Sequence, residues 1–408
     1  MMDTGITVSK PSQSRATNSN LPGWIILIFA ITGGISVANI YYAQPLLDLM
    51  AADFAIDPAT IGLVVTLTHV GYATGLLFVV PLGDMVDRRT LILCQTLLSA
   101  VALAVVATAQ GIVTLFAGMI AVGLLAVVVQ VLVAFTATLA APKQQGRAVG
   151  LVTSGVVIGI LAARFVSGVL ADLGGWRTVY ALSGMLMVVM AGLLFGILPR
   201  HAPVSRTESY GAILKSVPIL FMRERVLRER GILAFLIFAS FSTLWTAMVL
   251  PLSAPPFGLS HTDIGLFGLA GLAGALAASG AGRLADRGLA RRTTGVSLAV
   301  LGLSWFAIGF LPHSLLAFVL GVVLLDFAVQ AVHVTNQSLI FAARPEARSR
   351  LVGGYMVFYS AGSAVGAISS TTIYAGFGWT GVSILGAVFS LTALLFWLLT
   401  NIETSHKS

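Results

Sequence analysis

The sequence predicts an all-α polytopic membrane protein whose twelve transmembrane helices form two six-helix bundles. Three observations carry this: a shortage of charge, twelve apolar runs of spanning length, and landmarks that recur in the same order in both halves. Of 408 residues, 23 are Lys or Arg and 15 are Asp or Glu; 57% are hydrophobic and 43 are glycine. Charged residues make up 9%, against about 25% in a typical soluble domain. A water-soluble globule of this length needs a polar surface that these residues cannot supply. The single Cys94 allows no intramolecular disulfide and no cysteine metal site.

A helix needs roughly 20 apolar residues to cross a hydrocarbon core of about 30 Å. Such runs fall at about 24–50, 60–82, 90–109, 112–140, 148–170, 178–198, 231–253, 262–282, 293–311, 315–340, 351–375 and 380–400. Around them the chain divides into a polar tail (1–20), a first bundle (21–199), a linker (200–230), a second bundle (231–401) and a short tail (402–408). The first tail lacks the apolar stretch of a signal peptide and reads as disordered. With both termini placed in the cytoplasm, every Lys and Arg except Arg164 and Arg177 falls on the cytoplasmic side. That alternation follows the positive-inside rule, and it explains the net charge of +8 without nucleic acid. In the linker, Tyr210 to Met222 reads as a short helix along the membrane surface.

The second half repeats the first. Gly83-Asp84-Met85-Val86-Asp87-Arg88 corresponds to Gly282-Arg283-Leu284-Ala285-Asp286-Arg287, the pair Gly155 and Gly159 to Gly362 and Gly366, and Gly175-Trp176 to Gly378-Trp379. Each copy has an even number of segments, so both share one orientation and are related by an axis along the membrane normal. With these motifs the sequence resembles the major facilitator superfamily, and within it the twelve-span drug:proton antiporters. The resemblance implies a cytoplasmic gate at Gly83, Asp87, Arg88, Gly282, Asp286 and Arg287, whose acidic groups can accept from a helix N-terminus or an arginine. Gly155, Gly159, Gly362 and Gly366 are spaced for close helix packing. Two departures weaken antiport specifically: Ile160 stands where the antiporter signature has proline, and Leu115 to Gly123 lacks the family's fourth-segment arginine.

Ionisable groups at membrane depth are costly and mark functional suspects. Asp326 lies eleven residues into the tenth segment, about 17 Å along a helix and near the midplane. Gln330, His333 and Gln337 share its helical face, with Asn336 adjacent. Asp326 and His333 are the candidates for proton coupling; a structural hydrogen bond is the rival role for each. Arg164 either snorkels outward or faces the cavity and attracts an anionic group. Asn39, Tyr42 and Gln44 form a polar patch in the first segment, where Pro45 bends or ends the helix. His69, Gln130, Trp245, Tyr355 and Tyr359 complete the cavity candidates.

These readings point to a secondary active transporter that exports small amphipathic compounds in exchange for protons by alternating access. Its implied partners are a small-molecule substrate, protons and the lipid bilayer of a bacterial inner membrane, with the monomer as functional unit. Transport of a sugar, nucleoside or other metabolite in either direction is the alternative. A non-transporting receptor or scaffold lacks a soluble region in the loops. No nucleophile arrangement, phosphate loop, metal site or cofactor motif indicates an enzyme.

Overall fold

The computed structural model describes residues 21–141, 144–199, 210–343 and 348–405, which are almost wholly helical. The expected tail 1–20, the first part of the linker at 200–209 and the last residues 406–408 lie outside the described residues.

Helix α1 (Gly23–Tyr41) stops just before Pro45, which has no N–H to continue it. A tight turn at Gln44–Leu46 leads into α2 (Leu47–Phe54), so the first expected segment is a broken helix. Next come α3 (Leu63–Phe78) and α4 (Arg88–Ala107). Asp87 opens α4, its carboxylate accepting from Thr90 N at 3.2 Å and so satisfying an otherwise orphaned amide. The fourth segment is α5 (Ile112–Leu125) followed by α6 (Val128–Leu139). Helices α7 (Gln145–Gly174) and α8 (Trp176–Ile197) meet at Gly175, whose φ of 80° turns the chain back.

The linker helix α9 (Tyr210–Arg223) is held to the first half where Tyr210 Oη donates to Phe78 O at 2.7 Å. The second half runs through α10 (Arg225–Ala247), α11 (Val249–Ser253), α12 (His261–Ala277), α13 (Ser279–Leu284), α14 (Ala290–Gly309), α15 (Leu315–Ala343) and α16 (Arg348–Ser405). Helix α16 turns at Gly378, with φ of 59°, and so covers the last two expected segments.

Among the described residues, nine stretches are long and apolar enough to cross a membrane, the last being Leu351–Thr400 with its internal turn. Helices α12 and α14 occupy the remaining two expected segments. Large side chains such as Val113, Leu316 and Phe306 are 83%, 79% and 74% exposed, a surface suited to lipid tails.

The packing repeats with the sequence. Helix α1 lies along α7 as α10 lies along α16; α3 pairs with α5 as α12 does with α15; α4 pairs with α8 as α14 does with α16. A Cβ at Gly155 would stand 2.5 Å from Ala30 O. One at Gly159, Gly362 or Gly366 would collide with the carbonyl of Gly34, Phe235 or Ala239 respectively. The backbones of α1 and α7, and of α10 and α16, thus touch at these glycines.

The halves meet along two seams, α7 against α12 and α3 against α16. Thr66 Oγ1 donates to Ala364 O at 2.9 Å, and Thr371 Oγ1 to Ala59 O at 3.1 Å. Side chains at Gly62 and Gly168 would strike Ala367 O and His261 O. All these contacts lie toward the end of the molecule remote from α9, so the far face is closed.

Candidate functional site

The seams enclose a charged and aromatic cluster. Arg164 on α7 is 1% exposed, and its Nε donates to Gln44 Oε1 at 2.8 Å. Its Cζ stands 3.9 Å from the ring centre of Trp245 on α10, 5.2 Å from Tyr41 and 5.4 Å from Phe241. Three rings from both halves therefore cage one guanidinium, each attracted to it through its π face. Asp326 on α15 is fully buried close to the same indole. A Cβ on Gly271 of α12 would collide with Asp326 Oδ2 and stand 3.1 Å from Trp245 Cζ2, so the missing side chain leaves room for both. Among the described residues, neither Arg164 Nη atom and neither Asp326 oxygen has a hydrogen-bond partner. A small cavity beside the cluster is lined by Gln44, Pro45, Arg164, Trp245, Met248 and Ile264.

Toward the linker side the seam becomes aromatic and hydrogen-bonded. Tyr41 Oη and Tyr359 Oη bond across the halves. His69 sits edge-on to both rings, at 6.4 and 6.1 Å between centres. Phe238 packs on Tyr359 at 4.1 Å and on His333 at 5.2 Å. His333 Nδ1 pairs with Tyr355 Oη at 2.8 Å, and Gln337 Nε2 with His333 Nε2 at 3.2 Å. On α15, Asp326 is sealed whereas Gln330, His333 and Gln337 are half-buried, so the stripe grows more open toward the linker face.

Other sequence candidates face elsewhere. Asn39 accepts from Ser183 Oγ at 2.6 Å, and Tyr42 packs edge-on to Tyr180, both within the first half. Gln130 donates to Tyr72 Oη at 3.2 Å, again within that half. Asn336 is buried and accepts from Arg230 at 3.5 Å. At the first gate motif, Arg88 donates to Gly83 O at 2.9 Å and Thr138 Oγ1 at 2.7 Å, tying the turn to α6. Gly282 lies in α13, and the side chain of Asp286 lies outside what the structure describes; Arg287 is exposed beside Gly288, whose φ of 80° marks the turn.

Tyr41, Phe238, Phe241 and Gly271 were not singled out from sequence. Tyr41 is next to Tyr42, and one helical step rotates a side chain by about 100°. The dipeptide marked the place but not which ring faces the other half.

A helical membrane protein built from two like halves, with a buried charge cluster between them and one face closed, has the architecture of a secondary transporter. The family model of the Major Facilitator Superfamily matches residues 29–228 and, again, 230–408. The chain belongs to this superfamily, a family of membrane transporters and not of enzymes. It is 46% identical to the uncharacterized transporter YgaY of Escherichia coli O157:H7 over 380 residues, covering 93% of this chain and 96% of that one. It is 31% identical to the probable transporter SCO4007 of Streptomyces coelicolor over 93% of this chain and 87% of the other. Its fold matches the inward-facing, occupied crystal structure of a bacterial homolog of the human lysosomal transporter Spinster. That match has a TM-score of 0.77 and 14% identity, covering 93% of this chain and 96% of the other.

Proposed function

We propose that this transporter exports small amphipathic compounds across a bacterial cytoplasmic membrane in exchange for protons. The bundles 21–199 and 231–401 rock about the central cluster, with the linker face and both termini in the cytoplasm, as the Lys and Arg bias favours. The observation that carries this reading is the convergence of Arg164 from one half and Asp326 from the other on a single indole. A charge is costly to hold away from water. A carboxylate that is dry while the far face is closed and wet once the halves part would couple its proton to the conformational cycle. The rings of Tyr41, Trp245, Phe238 and Tyr359 offer flat apolar surface to an amphipathic substrate.

The test is transport into and out of proteoliposomes across a compound panel, with and without an imposed pH gradient. Export that persists unchanged when the gradient is collapsed refutes the coupling. The hydrogen-bonded run Gln337–His333–Tyr355 favours a second reading, transport of a polar metabolite such as a sugar or nucleoside. Accumulation of such a solute, with no amphipathic compound moved, would select it.

A further inference from the structure

At the far face one histidine holds three elements together. His261 begins α12 in the second half. Its Nε2 lies 3.0 and 3.1 Å from the two oxygens of Asp48 on α2, and its Nδ1 lies 3.2 Å from Asp172 Oδ1 on α7. Asp172 also accepts from the backbone N–H of His261 at 3.2 Å and of Thr262 at 2.8 Å. A carboxylate of the first half therefore caps the first turn of a helix in the second, where the helix dipole favours negative charge. Both ring nitrogens face carboxylates, and a neutral imidazole has only one N–H to donate. The imidazolium has two, so the protonated ring satisfies both partners at once.

We propose that the His261–Asp48–Asp172 clamp is a proton-sensitive gate, which protonation from the far side locks shut. The inference rests on the alternating-access part of the functional reading and not on its substrate or on coupling at Asp326. All three residues belong to the two elements and the helix end that must separate for the far face to open. Their surroundings leave the sign of the effect with these carboxylates. Asp263, on the same helix as His261, is engaged with Ser260 in a capping box, and Asp53 on α2 is paired with Arg177.

The hydrogen bond to Asp48 pushes the histidine above its ordinary value; partial burial opposes this, and Asp172 adds to it. The closed gate thus binds the proton more tightly than an open one in which the ring is solvated. Its extra stability is fully present below the ordinary value, near 6.5, and is lost as pH rises through the raised value of the closed state. Acid on the far side shuts that side and turns the cavity toward the linker face. In an exporter driven by external protons, that is the return stroke.

The test is a pair of spin labels across the far face, at Ala52 and His313, in purified protein in which Cys94 is replaced by Ser. Distances are measured from pH 5 to pH 8.5 without substrate. The closed-to-open ratio is expected to rise severalfold on acidification across this range. His261→Gln removes that dependence, while Asp48→Asn and Asp172→Asn each shift its midpoint downward. A wild-type ratio that does not change with pH overturns the proposal, as does an unchanged pH dependence in His261→Gln. Should His261→Gln not fold, the two Asp variants decide alone: unshifted midpoints in both overturn it. Because the readout needs no transport, it separates failure of the clamp from failure of the export reading.

Discussion

Asp326, Arg164 and Trp245 stood out because each is a polar or amphipathic residue in an apolar segment, where any such group needs a reason. What could not be read is that they meet, since that depends on the rotation and tilt of α7, α10 and α15. The glycine that admits them was also hidden: nothing in the sequence distinguishes Gly271 from the other glycines of α12, yet only its position opposes Asp326. Substituting it is therefore informative. Gly271→Ala is expected to displace the carboxylate and abolish gradient-driven transport while leaving the amount of folded protein near wild type. Full transport by that variant would refute the packing argument. Asp326→Asn is expected to lose gradient-driven accumulation and keep substrate counterflow, measured on the same vesicles; undiminished accumulation would remove Asp326 from the coupling.

Among elements, the order of helices was legible from hydrophobicity and from Lys and Arg placement, because both follow directly from the solvent that each segment meets. The break at Pro45 was legible because proline cannot continue a helix, whereas Gly175 and Gly378 entered only as landmarks of the repeat. Which helices pair could be anticipated only through the repeat. The glycine contacts between α10 and α16 should tolerate little: Gly366→Val forces two backbones apart and is expected to cost roughly 1–3 kcal/mol, seen as a lower unfolding midpoint in detergent. Asp87→Ala removes the cap of α4 and is expected to cost about 1 kcal/mol in the same measurement. An unchanged midpoint in either variant would count against the contact assigned to it.

For the whole molecule, the sequence conveyed the duplication but not which seams join the halves, because a seam is made by residues far apart in the chain and leaves no local pattern. The far-side clamp was out of reach for the same reason: Asp48, Asp172 and His261 lie in separate stretches of chain, and each alone reads as an ordinary interfacial polar group. The orientation is checked with a cysteine at Gly211, in α9, in protein lacking Cys94. An impermeant maleimide is expected to label it only after the membrane is opened; labelling in intact cells would invert the topology. The seams have one more consequence. Where Gly62 and Gly168 lie against carbonyls of the opposite half, no room is left for a file of water molecules. A cell that stores energy as a proton gradient cannot tolerate a transporter that conducts hydronium between turnovers, and backbone pressed against backbone forms the insulation. Larger side chains at these two positions should thus be felt first as leak, with the gradient decaying before any substrate has moved.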